Sequence, residues 1–121
     1  MENLNMFVGK IISSVVLGSD DKLHFIFEDK SKMMLWDDGA MCCERRYMTI
    51  DDDLSFFVGT RLVSVEVRDA PDLGSPYNSD NDTMHEVQFV EIMTNRGCFT
   101  VASHNEHNGF YSGFSVSIES E

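Results

Sequence analysis

A chain of 121 residues with twenty-one acidic and nine basic side chains carries a formal charge of −12, which sets it against a phosphate backbone and argues against direct nucleic-acid binding. Its 42% hydrophobic content, with nine Phe and eight Met, excludes a disordered polymer and suits one domain over residues 1–121. No apolar run approaches the roughly 18–20 residues that span a bilayer, and the stretch Met1-Glu2-Asn3-Leu4-Asn5 lacks the basic and apolar regions of a signal peptide, so no membrane partner is expected and the expected compartment is a cytoplasm.

The segment from Phe7 to Leu17 is rich in β-branched residues, which predicts a strand, and Asn3 to Gly9 offers a capped turn ahead of it. Gly18-Ser19-Asp20-Asp21 supplies turn chemistry. From Lys22 to Glu28 the apolar residues Leu23, Phe25 and Phe27 alternate with His24, Ile26 and Glu28, the period of a half-buried strand. Asp29-Lys30-Ser31-Lys32 reads as a hairpin loop, and Met33 to Trp36 as the return strand.

The opening segment then comes back. Phe7-Val8-Gly9-Lys10-Ile11-Ile12-Ser13-Ser14-Val15-Val16-Leu17 recurs fifty positions on as Phe57-Val58-Gly59-Thr60-Arg61-Leu62-Val63-Ser64-Val65-Glu66-Val67, with five of eleven positions identical. Self-similarity at a fixed offset predicts one supersecondary unit used twice, over about 7–36 and 57–102. Asp51-Asp52-Asp53 ahead of Leu54 to Val58 predicts an N-capped helical turn closed by Gly59. In the second unit the alternation from Leu62 to Arg68 runs into 69–83, which holds both prolines and no periodicity, and so reads as a flexible loop. His85 to Met93, the hairpin Thr94-Asn95-Arg96-Gly97 and Cys98 to Ala102 complete the unit. The two hairpins correspond at an offset of sixty-five, so an insertion of fifteen residues is expected between the first two strands of this unit. Ser103 to Gly109 reads as a polar turn, and Phe114, Val116 and Ile118 alternate with serines and Glu119 in a final strand. The predicted fold is mainly β with at most short helices: two three-stranded antiparallel units plus a C-terminal strand, packed as a sandwich or small barrel.

Three cysteines, an odd number, argue against a disulfide scaffold. Cys98 among apolar neighbours reads as a small core residue. Cys42 and Cys43 stand beside Arg45, Arg46 and Tyr47, the densest cluster of functional residue types. Arginines lower a thiol's pKa, yet no base stands at a diagnostic spacing, and packed thiols are the favoured reading over a cysteine nucleophile. His104 and His107 give a metal-like spacing short of a full ligand set. Asn78 to Asp82 lacks the glycine and glutamate of a calcium loop, and no phosphate-binding glycine motif occurs. No cofactor is called for. Asn108-Gly109-Phe110-Tyr111-Ser112-Gly113 places two glycines around two aromatics, which suits a tight backbone presenting Tyr111 or Phe110 to a partner.

Gly39-Ala40-Met41-Cys42-Cys43, the closing Asn108 to Gly113 and the central Phe57 to Glu66 together resemble an uncharacterised family of small phage-encoded proteins. That family has a Gly-x-x-Cys-Cys element after its first hairpin and an Asn-Gly-aromatic-Tyr-x-Gly element before its last strand. Glu44-Arg45-Arg46-Tyr47 departs from the family's serine-rich stretch at this point. The resemblance brings no activity with it; it implies an accessory protein in the cytoplasm of an infected host.

In that setting the acidic surface points to a non-enzymatic binder that inhibits or sequesters a component of host defence. A basic, nucleic-acid-handling host protein is one expected partner. A small nucleotide signal is another, held by Arg45, Arg46 and Arg61 with stacking from Tyr47 or Tyr111. A virion or assembly component is the alternative, and a cysteine-dependent enzyme a weaker one. Exposed edge strands also open a route to a homodimer. The segments that follow the two units, around Cys42-Cys43 and Asn108 to Gly113, are expected to share one site if the units pack with pseudo-symmetry.

Overall fold

The computed structural model describes residues 2–39, 45–69, 77–78, 83–107, 114 and 116–120. A 3-10 helix (Glu2–Met6) leads into β1 (Ile12–Leu17), β2 (Leu23–Phe27) and β3 (Lys32–Asp37). Then come β4 (Arg45–Ile50), a second 3-10 helix (Leu54–Phe57), β5 (Leu62–Asp69), the two-residue β6 (Tyr77–Asn78), β7 (Thr83–Thr94), β8 (Gly97–His107) and β9 (Val116–Ser120). They form two antiparallel sheets, ordered β1-β2-β3-β9 and β4-β8-β7-β5, with β6 beside β7. One hydrophobic core lies between the sheets, and among the described residues neither sheet closes on itself. The fold is the sandwich of the two predicted forms.

The predicted repeat is visible in the pairing. Each unit supplies three strands to its own sheet, β1-β2-β3 and β5-β7-β8, and the strand that follows each unit crosses to the other sheet. Thus β4 pairs with β8, and β9 pairs with β3. Where the units meet, Ile11 faces Arg61 in an isolated bridge. The hydrogen bonds there come in pairs that map onto each other at an offset of fifty: the Gly9 N–H donates to Leu62 O (2.8 Å) and the Gly59 N–H to Ile12 O (2.7 Å). Likewise the Ile12 N–H donates to Thr60 O (2.8 Å) and the Leu62 N–H to Lys10 O (2.9 Å). This is a pseudo-two-fold axis written in backbone. Gly9 at φ +92° and Gly59 at φ +88° make the turn into it, a conformation that side chains with a Cβ resist.

Register also explains why a simple alternation misplaces some residues. Both β1 and β5 carry an irregularity after their first residue, between Ile12 and Ser14 and between Leu62 and Ser64. The extra residue shifts the phase, so Ile12 and Val15 both point inward, as do Leu62 and Val65, while Val63 is left exposed. The partners Ile12–Phe27 and Leu62–Thr94 place seventeen extra residues in the second unit, and its hairpin is one residue shorter (Ile92–Phe99 against Phe25–Met33).

The inward residues match the alternation read for β2: Leu23, Phe25 and Phe27 are fully buried. Phe25 and Phe99 stack across the sandwich at 6.4 Å, and the repeat-related Phe7 and Phe57 cover it against Phe27 (5.5 Å) and Phe99 (4.7 Å). The second 3-10 helix is capped as expected, the Asp53 carboxylate accepting the Ser55 N–H at 3.0 Å. Two expectations are corrected. Ser103 to His107 is not a turn but the far half of β8, because β8 is paired on both sides, by β4 and β7, and this pairing overrides a polar composition. Cys98 is exposed, opposite Met93 beside the hairpin turn, and not in the core.

Candidate functional site

The crossing strands bring four strand ends together at the end of the sandwich away from the hairpins. Asp37 at the end of β3 pairs with Val116 at the start of β9, and Arg45 at the start of β4 pairs with Glu106 near the end of β8. The connections β3–β4 and β8–β9 therefore join the same two corners, as pseudo-symmetry requires. Cys42, Cys43, Asn108 and Tyr111 fall in those connections and lie outside the described residues.

Beside these corners opens a cleft of about 280 Å³, walled by Asp20, Asp21 and Lys22 of the β1–β2 turn, Trp36 and Asp37 of β3 with the following Asp38, and Arg46 to Met48 of β4. The turn is held by the Gly18 N–H donating to Lys22 O (2.9 Å). The Asp20 carboxylate caps it, accepting the Lys22 N–H at 3.1 Å and meeting His24 Nε2 at 3.0 Å. Desolvation opposes the ionisation of Asp20, and the hydrogen bonds from His24 and the Lys22 backbone outweigh it, holding the carboxyl below its ordinary range. Lys22 Nζ lies 5.0 Å from the centre of the Trp36 ring, within cation–π reach. Asp38 accepts the Ser117 hydroxyl at 2.7 Å, which ties the rim to β9.

The floor of this end is ionic. Arg46 Nη1 donates to Asp37 Oδ2 at 2.7 Å, with side chains 10% and 4% exposed, so a buried ion pair links the two sheets. The Gly39 N–H donates to the other Asp37 oxygen at 3.0 Å. A Cβ on Gly39 would meet Arg46 Nη1 at 2.9 Å, so the glycine lets the backbone lie against the guanidinium. Beside the pair, Ser103 and Asn105 are fully buried, opposite Met48 and Arg46, and among the described residues the Ser103 hydroxyl has no hydrogen-bond partner.

Successive residues of β4 face opposite ways. Arg46 and Met48 turn to the core side, while Arg45, Tyr47 and Thr49 build an outer cluster. There the Tyr47 and His104 rings stack at 4.5 Å and 5°, Arg45 Cζ lies 4.7 Å from the Tyr47 ring centre, and Thr49 Oγ1 meets His104 Nε2 at 2.8 Å. His85 Nε2 and His104 Nδ1 are 3.0 Å apart. Burial, then the neighbouring His85, push His104 below the ordinary imidazole value against the opposing pull of Glu106. Burial, then the hydrogen bond and charge of Glu106, raise Tyr47.

The structure thus brings Arg46 to the cleft, sets Tyr47, which also lines it, with Arg45 in the outer cluster, and places Arg61 elsewhere: its Nη1 donates to Gly9 O at 2.8 Å beside the pseudo-axis. Among the described residues there is no group of three or more side chains able to hold a metal ion, and no helix long and apolar enough to cross a membrane. Sequence reasoning passed over Trp36, Asp20 and Asp21. The available signal was the sole tryptophan followed at once by two aspartates, at the end of the strand that returns beside another Asp-Asp turn.

No curated protein and no solved structure matches the chain. Residues 5–117 match the family DUF7448, described as a domain of unknown function, and the chain belongs to that family.

Proposed function

We propose that the chain is a non-enzymatic acidic binder, encoded by a phage and acting in the host cytoplasm, that inhibits or sequesters a basic nucleic-acid-handling protein of host defence. The observation that carries this reading is the cleft, where four aspartates share about 280 Å³ with one tryptophan and two cations. One of those cations, Arg46, is already committed to Asp37. The balance favours a positively charged partner and works against an anionic nucleotide signal.

The test is affinity capture from infected cells, with the wild-type chain and an Asp20→Asn/Asp21→Asn/Asp38→Asn variant compared by mass spectrometry at low and high salt. The expected result is a basic host protein retained by the wild type, released as salt rises because exposed charges are screened, and lost from the variant. Retention that is equal in the variant and insensitive to salt overturns the proposal.

A further inference from the structure

We infer that the cleft is a receptor for a single arginine side chain of the partner, which stacks on Trp36 in the place that Lys22 now fills. The inference rests on the binder reading above and names the group it recognises. Volume is the first argument. Pockets for small molecules run to roughly 300–1,000 Å³, and a space of about 280 Å³, at the small end of that range, has room for one long side chain.

Lys22 supplies the second. Its ammonium sits 5.0 Å from the indole centre, and among the described residues it forms no ion pair, although four aspartates line the same cleft. The chain's own lysine marks the indole face as a place where a cation rests. Lys22 is half-buried and belongs to a turn, and its flexible stem lets it leave without moving the backbone. The chemistry of the cleft also chooses between cations. A guanidinium is planar, stacks on an aromatic face and forks its N–H groups onto carboxylates, whereas an ammonium is a compact, strongly hydrated charge. Trp36 offers the face, and Asp20, Asp21 and Asp38 line the same cleft. Asp37 is held by Arg46 on the floor of the cleft.

Trp36 is the only tryptophan in the chain, so emission under tryptophan-selective excitation reports on this cleft alone. The full chain is titrated with N-acetyl-arginine amide, with the lysine analogue, and with the uncharged isostere N-acetyl-citrulline amide. Arginine amide is expected to change Trp36 emission saturably, lysine amide several-fold more weakly, and citrulline amide not at all. Lys22→Ala, which removes the ammonium and the stem from the indole face, is expected to tighten arginine binding by about threefold or more. Asp20→Asn/Asp21→Asn is expected to weaken it by a similar factor, with circular dichroism confirming that the fold is kept. A citrulline response equal to that of arginine overturns the inference, as does a Lys22→Ala variant that binds arginine no better than wild type. The two proposals fail separately. Salt-sensitive capture of a basic protein without an arginine response removes the slot and leaves the binder; an arginine response without capture removes the proposed partner and leaves the slot.

Discussion

The two ends of this sandwich come from the same repeated unit and are built on different principles. At the end holding the pseudo-axis, the units are alike and backbone does the joining: Gly9 and Gly59, Ile12 and Leu62 exchange hydrogen bonds in matched pairs. The cations there have local partners, Lys10 at 2.8 Å from Asp29 and Arg61 on Gly9 O. At the other end the units differ and side chains do the work. By register, Met33 corresponds to Phe99 and Leu35 to Val101, so Trp36 stands where the second unit has Ala102, and Asp37 where it has Ser103. The cleft occurs where the repeat has diverged. Likeness holds the frame, and divergence makes the site.

The largest test of that contrast is the buried ion pair that, among the described residues, only the divergent end possesses. Arg46 and Asp37 are both nearly excluded from water. Removing one partner takes the nearest countercharge from a buried ion, a change that costs about 3–5 kcal/mol. Arg46→Met and Asp37→Leu singly are therefore expected to lower the unfolding free energy in urea by that amount. The double variant is expected to recover most of the loss, since a well-packed apolar pair often equals a buried ion pair. Two singles that each cost under about 1 kcal/mol would show the pair to be solvated.

Glycines sharpen the comparison at a smaller scale. At Gly39 a new Cβ lies 2.9 Å from the Arg46 guanidinium, so Gly39→Ala must displace the ion pair and is expected to cost about 1–3 kcal/mol, as overpacking does. At Gly9 and Gly59 no atom lies within 4 Å of the added Cβ. The cost there is backbone strain at positive φ, about 1–2 kcal/mol, and nearly the same at both sites. Unequal losses at Gly9 and Gly59 would break the pseudo-symmetry. A loss at Gly39 that persists in the Arg46→Met background would detach that glycine from the ion pair.

How much of this was legible in the sequence follows from the same division. The repeat was readable because Phe-Val-Gly is required by a backbone geometry used twice. The alternation of β2 was readable because Leu23, Phe25 and Phe27 face one core. The exchange of β4 and β9 between sheets was not, since nothing local in Arg45–Ile50 or Val116–Ser120 says which strand each will join. The length of β8 was hidden for the same reason, its polar half being made a strand by neighbours on both sides. Of the cleft, Arg46 and Tyr47 were singled out beside Cys42 and Cys43. Trp36 and the aspartates were not, because residues 20–22, 36–38 and 46–48 meet only after folding, and Asp-Asp in a turn resembles ordinary solvation.

A weaker effect distinguishes the outer face of the cleft end by pH. His104 is held below its ordinary pKa, chiefly by burial, in a cluster with Tyr47, Arg45, Thr49, His85 and Glu106. Because the folded value lies beneath the unfolded value of about 6.5, the stability it contributes is complete above that pH and is lost as pH falls through the folded value. The depressed carboxyls Asp20 and Asp53 act in a lower window, their contribution lost below the ordinary value of 3.8. The thermal midpoint of the wild type is therefore expected to fall relative to that of His104→Gln as pH drops below about 6.5, and parallel curves would show that His104 titrates alike in both states.

The smallest expected effect lies at the hairpin end, where Cys98 is exposed opposite Met93. A surface thiol replaced by a hydroxyl changes little, so Cys98→Ser is expected to stay within about 0.5 kcal/mol of wild type. Buried, as its apolar neighbours in sequence suggest, the same hydroxyl without a partner would cost about 1–3 kcal/mol. Urea unfolding of this single variant separates the two placements. A large loss would move Cys98 into the core and, since it neighbours Phe99 in β8, would shift the register on which the correspondence of Trp36 with Ala102 depends.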